Sequence, residues 1–415
     1  LDRYKEVADS LLEKGFAYWD YCSKEELDAM REAQKLRGEK PRYDGRWRPE
    51  RAAELGLVKP EGVKPVLRFR NPDDGDVTWE DAVYGPITVS NTELDDLVIM
   101  RSDGIPTYHF AHIIDDHFMG TTHVVRGEEW LATLNIHLQL FRTMGWKAPK
   151  YVHTAQLMKM DGGSKRKLSK RKDPELALDF YNAEGYPVPS VLEYLMTLLN
   201  SNFEDWRLAN PTAPMGDFQF TTKKMGNSGS LFDIDKLKDV SKNTISVMSA
   251  DQVYDEVTAW AKDFDPQLYT LLTADQQKAK AIFAIGRGGA KPRKDIAIWS
   301  EVKDYVAFFY EELFTAASEY PENVSTQDAL DILTQYRSLY SPADDGDTWF
   351  NKVRELGESL GFAAKPKDYK KNPDQYKGHV GDVSQVIRLA ITGRTNSPDL
   401  CSVMQILGEE VCQQR

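Results

Sequence analysis

The stretch Thr107–Met160, TYHFAHIIDDHFMGTTHVVRGEEWLATLNIHLQLFRTMGWKAPKYVHTAQLMKM, decides how this chain folds. It reads as a helix, a short apolar strand at HVVR, a second helix from EEW to MG, and a second strand at YVHTAQLM. Alternation of this kind marks a parallel α/β sheet, because neighbouring parallel strands need a crossover between them. Upstream, residues 66–101 hold short apolar runs (VLRFR, ITV, DLVIM) separated by the turn formers NPDDGD and SDG, which predicts a small mixed sheet. Residues 2–58 read as helices, with Leu11, Leu12 and Phe16, then Leu27, Met30 and Ala33, recurring at helical spacing. Downstream, residues 173–250 are helical apart from a Gly/Ser break at Gly226–Ser230. From 251 to 415 every strong period is helical: 251–264, 274–286, 299–318, 326–340, 347–361, 382–391 and 399–412. No repeat of fixed period is visible. The fold class is therefore α/β plus all-α, a partial α/β domain with an inserted subdomain followed by a helical C-terminal half.

A chain of 415 residues exceeds one ordinary core and implies roughly two to four domains. Its composition, 41% hydrophobic and 11% aromatic, is that of a folded protein rather than a disordered one. No run approaches the roughly 20 apolar residues of a membrane helix, and the charged amphipathic opening LDRYKEVADSLLEKGFAYW is no signal peptide. The three cysteines, Cys22, Cys401 and Cys412, form no paired framework, which fits a reducing cytoplasm. A net charge of −12 argues against non-specific coating of nucleic acid. It leaves a structured RNA open as a partner, since phosphate affinity depends on where Lys and Arg cluster. The first residue is Leu1, inside an apparent helix, so the chain reads as part of a longer one.

The sharpest chemical feature is SKRKLSKRK, Ser164–Lys172, with six basic residues among the eight from Lys165 to Lys172. A bare basic run is most simply a solvated loop or a localisation-type cluster. Here it follows a strand-like segment and a flexible MDGGS, at the strand end where parallel sheets bind ligands. Ammonium groups so placed can follow charge developing on a polyphosphate, with the Gly-Gly hinge allowing closure.

Within that loop KLSKR, Lys167–Arg171, resembles the KMSKS signature of class I aminoacyl-tRNA synthetases, in the form typical of glutamyl enzymes. The preceding RSDGIPTYHFAHIIDDHFMGTTHVVRGEEW, Arg101–Trp130, resembles the glutamyl-tRNA synthetase core nearly position by position. GEKPRYDGRWR (Gly38–Arg48), FDIDKL (Phe232–Leu237) and VSQVIRLAITG (Val383–Gly393) match family segments in the right order. The resemblance, to the bacterial type, spans most of the chain and is weakest in 240–380. It implies a connective, acceptor-stem-binding insert (1–105), the second half of a Rossmann-like catalytic domain (106–172), a stem-contact domain (173–250) and an α-helical anticodon-binding domain (251–415). The helical last part separates bacterial glutamyl enzymes from relatives with β-barrel anticodon domains.

Glutamate carries two carboxylates, so its site needs a fixed cation with paired donors, a role for Arg rather than Lys. By the resemblance Arg126 holds the side-chain carboxylate and Tyr108 lines the amino-acid pocket. His112 stands where many relatives have Asn in YxxAN; an imidazole still hydrogen-bonds a carboxylate, but its charge changes near neutral pH. Gly127, Glu128, Glu129 and Trp130 fall where the family approaches adenosine, and Glu129 and Trp130, with Ser169 and Lys170, are the expected ATP contacts. Lys170 is expected to stabilise transition-state charge, with Lys167 and Arg171 assisting. GGAKPRK, Gly288–Lys294, resembles the anticodon-reading region, making Arg293 and Lys294 candidate tRNA contacts; a solvated phosphate-contacting loop is the alternative.

His109, His112, His117 and His123, with Asp115 and Asp116, also permit a metal-hydrolase reading. The resemblance instead assigns Asp115, Asp116 and His117 to a run that shapes the fold and pocket. Some relatives bind zinc in the insert, but here the corresponding positions are Asp20, Cys22, Trp47 and Pro49, and one thiolate does not close a tetrahedral site. No zinc is expected, with Trp47 packing the space. No HIGH-like segment precedes Arg101; in the family it lies before the equivalent of Leu1, so residues 1–415 alone are expected to be inactive. The parent reaction is ATP-dependent ligation of L-glutamate to tRNA-Glu through a glutamyl-adenylate, with Mg²⁺ accompanying ATP. tRNA-Gln is an open second substrate, and a cytoplasmic monomer is expected. A non-catalytic, tRNA-binding synthetase-like protein is the alternative from another class.

Overall fold

The computed structural model describes residues 1–415, which divide into two compact units. The first comprises Leu1–Lys167 with Leu198–Phe203 and Gln219–Phe232; the second comprises Leu168–Thr197, Glu204–Phe218 and Asp233–Arg415.

The first unit opens with α1 (Asp2–Glu13), β1 (Ala17–Asp20), α2 (Lys24–Leu36) and α3 (Pro49–Glu54). The expected run of helices over 2–58 is thus broken by a four-residue strand, too short to show its period in the sequence. Tyr18 and Asp20 face inward there while Trp19 faces out. β2 (Val66–Phe69), β3 (Asp76–Asp81), β4 (Gly85–Ser90) and β5 (Val98–Met100) follow. In place of one mixed sheet, they form two antiparallel pieces, β1-β2-β5 and the hairpin β3-β4.

The segment that decides the fold forms α4 (Tyr108–Met119), β6 (His123–Gly127), α5 (Leu131–Thr143) and β7 (Lys150–Thr154), with β6 and β7 parallel and in register from His123–Lys150 to Gly127–Thr154. Helix α4 buries Phe110, Ile113 and Ile114, an i, i+3, i+4 stripe. Each such side chain removes enough apolar surface to contribute about 1.5–3 kcal/mol. Gly120 ends the helix in the left-handed conformation (φ 69°) that a side chain would disfavour. Phe110, Ile113, Ile114, Leu140 and Phe141 join Leu67, Phe69 and Ile99 in one core, and Val77, Trp79, Leu134 and Tyr151 form a second under the β3-β4 hairpin.

β8 (Leu157–Asp161) and β9 (Ser164–Lys167) make a hairpin closed by Gly162 and Gly163, both at positive φ. Two such residues in a two-residue loop match the twist of the flanking strands. The MDGGS segment is accordingly a tight turn rather than a hinge, and half of the basic run is strand. β10 (Ser230–Leu231) adds to β8 in parallel.

The second unit is helical: α6 (Leu178–Glu184), α7 (Val188–Leu199), α8 (Phe203–Ala209), α9 (Ile234–Ser246), α10 (Ala250–Phe264), α11 (Pro266–Ala274), α12 (Gln276–Ala284), α13 (Val302–Val306), α14 (Thr326–Leu339), α15 (Gly346–Ser359), α16 (Pro366–Lys371), α17 (Val380–Thr392), α18 (Leu400–Leu407) and α19 (Glu409–Gln414). α10 shows why: Ser249 and Gln252 form a reciprocal capping box, and Val253, Tyr254, Val257 and Ala261 fall on one buried face. The expected long helix over 299–318 is instead short turns ending at Phe309, and α11 fills the interval between the helical periods 251–264 and 274–286. The core runs from Ile245 to Leu407 and includes Val257, Phe283, Val353, Val386 and Met404.

Candidate active site

The pleat of β6 sends Val124 and Arg126 one way and the exposed His123 and Val125 the other. Arg126 therefore enters a half-buried position beside β7. Its Nε donates to His153 Nε2 at 3.1 Å. The guanidinium carbon lies 5.2 Å from the Tyr151 ring centroid and 5.7 Å from that of Trp130. Nη1 and Nη2 are buried and have no hydrogen-bond partner. A buried cation is ordinarily paired, because desolvation of an unpaired charge is expensive. Two aligned donors between two aromatic faces are matched to a planar anion.

Above this cation, α4 supplies an aromatic shelf. Tyr108 is half exposed; its ring lies parallel to that of His112, one turn along the helix, at 5.6 Å and 8°. Trp130 packs 4.8 Å from Tyr108. His112 places Nδ1 3.3 Å from Asp116 Oδ2, close enough for an ion pair but not aligned as a hydrogen bond, and its Nε2 is buried without a partner. Burial holds the His112 pKa below the ordinary histidine value; the Asp116 charge opposes this and the Arg126 charge adds to it. His109 is lowered too, by burial and then by His112 and Arg126, and its Nδ1 sits 2.8 Å from His137 Nε2. His137 is fully buried and pushed down to about 2, by burial first and then by His112 and Arg126. All three rings are accordingly neutral at neutral pH.

Past Arg126 the chain turns through Gly127 into a 3-10 turn at Glu128–Trp130. Tyr84 hydrogen-bonds the Glu128 carboxylate, so that residue is occupied within the protein. Glu129 is exposed, and its carboxylate lies across Gly127, where a Cβ would collide with it.

Lys167 ends β9, and the chain passes from the first unit to the second at the next residue. Leu168 is buried and anchors the turn. The Ser169 N–H donates to Asp173 Oδ2 at 2.8 Å, and the Ser169 carbonyl accepts from Lys172 and Asp173. Lys167, Lys170 and Arg171 are exposed around this closed turn.

Arg293 and Lys294 lie in the second unit and behave differently from each other. Arg293 is spent inside its own loop: Nε and Nη2 bond Asp295 at 2.6 and 3.0 Å, and its side chain lies across Gly286. Lys294 is exposed.

The histidines do not converge as a metal site. His117 stacks on Trp146 at 3.9 Å, His123 sits exposed beside Thr122, and no group of three or more His, Cys, Asp or Glu is placed to hold an ion. The metal-hydrolase reading loses its constellation. The zinc-like positions also do not fit zinc. Asp20 is committed to Arg68 at 2.6 Å and to the Cys22 N–H at 2.9 Å. The Cys22 thiol is pushed up to about 12, by burial and then by Asp20, so it is held as thiol rather than thiolate. Trp47 packs on Tyr21 at 4.9 Å.

Reading the sequence missed His153, Asp81, His137 and Tyr151. Tyr151 and His153 alternate within YVHT, a usable sign that they share a face. That the face meets Arg126 depends on the register of β6 against β7, and Asp81 arrives from 72 residues away.

Comparison with known proteins agrees with this geometry. Residues 1–239 match the family model for the catalytic domain of class I tRNA synthetases (E and Q), and residues 252–415 match an anticodon binding domain model. The chain is similar to a glutamate–tRNA ligase of Acetivibrio thermocellus, 46% identical over 99% of this chain and 76% of that protein. It is 43% identical to one of Sorangium cellulosum, over 98% of this chain and 75% of that protein. Among solved structures it resembles a glutamate tRNA ligase from Elizabethkingia meningosepticum crystallised with its amino acid, with TM-score 0.74, 25% identity, and coverage of 100% of this chain and 81% of that one.

Proposed function

The chain belongs to the glutamate–tRNA ligase family of class I tRNA synthetases, and we propose which of its residues carry the ligation of glutamate to tRNA-Glu. The reaction has two steps. The glutamate α-carboxylate attacks the α-phosphorus of ATP and pyrophosphate leaves. A terminal ribose hydroxyl of the tRNA then takes the acyl group and AMP leaves. Catalysis of this type is positioning plus charge stabilisation.

Arg126 receives the side-chain carboxylate of glutamate. The observation that carries this reading is the pair of buried, unpartnered Nη donors between Tyr151 and Trp130. A carboxylate accepts both bonds; the amide of glutamine would turn a donor against one of them, leaving a buried mismatch. Tyr108 and Trp130 wall the pocket, and the neutral His112 lies against Tyr108 with its Nε2 available. Trp130 and Glu129 approach ATP, with Ser169 and Lys170 on the KLSKR turn. Lys170, exposed on a turn closed by Asp173, follows charge growing on the phosphates, with Lys167 and Arg171 assisting. Exposed cations fit a polyphosphate. Mg²⁺ enters with ATP as part of the substrate, held largely by phosphate and water.

Residues 1–105 contact the acceptor stem, 106–172 complete the catalytic domain, 173–250 contact the stem and 251–415 the anticodon arm. Lys294 is the freer of the two tRNA candidates; Arg293 would have to exchange Asp295 for a phosphate or base. No helix is long and apolar enough to cross a membrane.

The test is Arg126→Ala in the full-length protein. Loss of a charged, bidentate pair predicts a rise in the KM for glutamate of roughly 10²–10³-fold, with the KM for ATP little changed. An unchanged glutamate KM overturns the assignment.

A further inference from the structure

Beneath Arg126 lies a connected set of buried groups that the glutamate reading does not use. Asp81 ends β3 and is buried. Its Oδ1 accepts from the N–H groups of Val83 and Tyr84, both at 3.0 Å. Its Oδ2 lies 2.6 Å from His153 Nδ1. His153 is fully buried on β7, directly opposite Arg126 in the parallel register, and its Nε2 accepts from Arg126 Nε.

The protons in this chain are determined by chemistry. Arg126 Nε–H can only donate, so His153 Nε2 must present its lone pair. The ring proton is then on Nδ1, where Asp81 accepts it. A doubly protonated ring would turn Nε2–H against Arg126 Nε–H. Asp81 is suited to remain a carboxylate: burial pushes its pKa up, but the bonds from His153, Tyr84 and Val83 outweigh that and hold it below the ordinary value. The anchor takes the one guanidinium donor that an end-on carboxylate does not need. Nη1 and Nη2 are left without a partner.

We propose that Asp81 and His153 are positioning residues for Arg126: Asp81 sets the tautomer of His153, and that tautomer holds Arg126 by Nε so that Nη1 and Nη2 face the substrate carboxylate as a fork. This rests on the assignment of glutamate to Arg126. Neither residue touches substrate.

The decisive variant is Asp81→Asn. The Val83 and Tyr84 N–H groups hold the amide oxygen on their side, so the amide NH2 points at His153 Nδ1. The ring must then carry its proton on Nε2, opposing Arg126 Nε–H, the tautomer error known from triads in which the orienting Asp becomes Asn. The glutamate KM should rise about tenfold or more, with kcat and the KM for ATP nearly unchanged, because the fork binds ground and transition states alike. The imidazole ¹⁵N shifts of His153 should change from an Nδ1–H to an Nε2–H pattern. His153→Gln places an amide oxygen near the former Nε2 and should retain most glutamate affinity; His153→Asn is too short and should not. Should Asp81→Asn fail to fold, the Gln–Asn contrast at position 153 decides.

Wild-type glutamate KM in folded Asp81→Asn and His153→Asn overturns the proposal, as does a parallel loss of kcat, ATP affinity and melting temperature in both, which marks a purely structural pair. Arg126→Ala separates the two readings. If it leaves the glutamate KM unchanged, the substrate assignment itself fails; if it raises KM while Asp81→Asn does not, only the positioning role fails.

Discussion

Asp173 accepts a hydrogen bond from the Ser169 N–H at 2.8 Å, and through it the KLSKR run is a closed turn on a buried Leu168 rather than a loose basic tail. The turn exposes Lys170 and Arg171, while Lys165, two residues before Lys167, projects from the hairpin strand β9.

That difference predicts unequal effects of removing charge. Lys170→Ala should lower the rate of adenylate formation by roughly 10²–10³, the order seen when one preorganised charge-stabilising donor is lost. ATP affinity should change much less. Lys165→Ala should adenylate near the parental rate. Pyrophosphate exchange with tRNA present measures both; the reverse order of effects would place the phosphate-binding loop elsewhere.

The buried histidines predict acid sensitivity. His137, His109 and His112 have native pKa values below the ordinary 6.5, so the unfolded chain binds more protons than the folded one. Their stability contribution is complete above about pH 6.5 and is lost as pH falls toward the native values. His137, pushed down to about 2, should by itself account for about 2 kcal/mol of loss by pH 5. Melting temperatures from pH 7.5 to 5 should fall, and His137→Gln should flatten the slope. A flat wild-type profile would contradict the neutral assignments.

Where a zinc site would stand, the structure has a buried ion pair. Arg68 bonds Asp20 at 2.6 Å and the Asp96 carbonyl at 2.7 Å, and lies 3.8 Å over the Tyr43 ring. Asp20→Ala should cost about 3–5 kcal/mol by stranding the Arg68 cation, measurable by denaturant unfolding. A chelator should cost nothing, and elemental analysis should find less than stoichiometric zinc. Zinc that resists dialysis, with unfolding on chelation, would sink this reading.

tRNA binding should fall steeply with salt despite the net charge of −12, since released counterions follow local contacts. If about six phosphates are contacted, affinity should drop about 10³-fold between roughly 50 and 200 mM salt. Equal affinity across that range, or no preference for tRNA over mixed RNA, would count against the assignment.

Much of the scaffold was legible in local pattern. The α4–β6–α5–β7 alternation and the helical second half rest on periods a few residues long, and both recur in the structure. Tyr108, Arg126 and Trp130 were singled out by the family resemblance, and the structure brings the three side chains near one another. Local pattern was silent where elements are short or partners are distant. β1 has four residues, and the Gly162-Gly163 turn reads equally as a hinge until β8 and β9 are seen to pair.

The sequence by itself determined that residue 126 is an arginine near the end of an apolar strand. Only the tertiary structure decided what that cation is free to do. The parallel register of β6 and β7 sets His153 opposite it, and β3 brings Asp81 from 72 residues away to fix the proton on the far side of the ring. A side chain's type is local information. Its hydrogen-bond partners, and hence which of its donors remain for a ligand, are set by long-range packing.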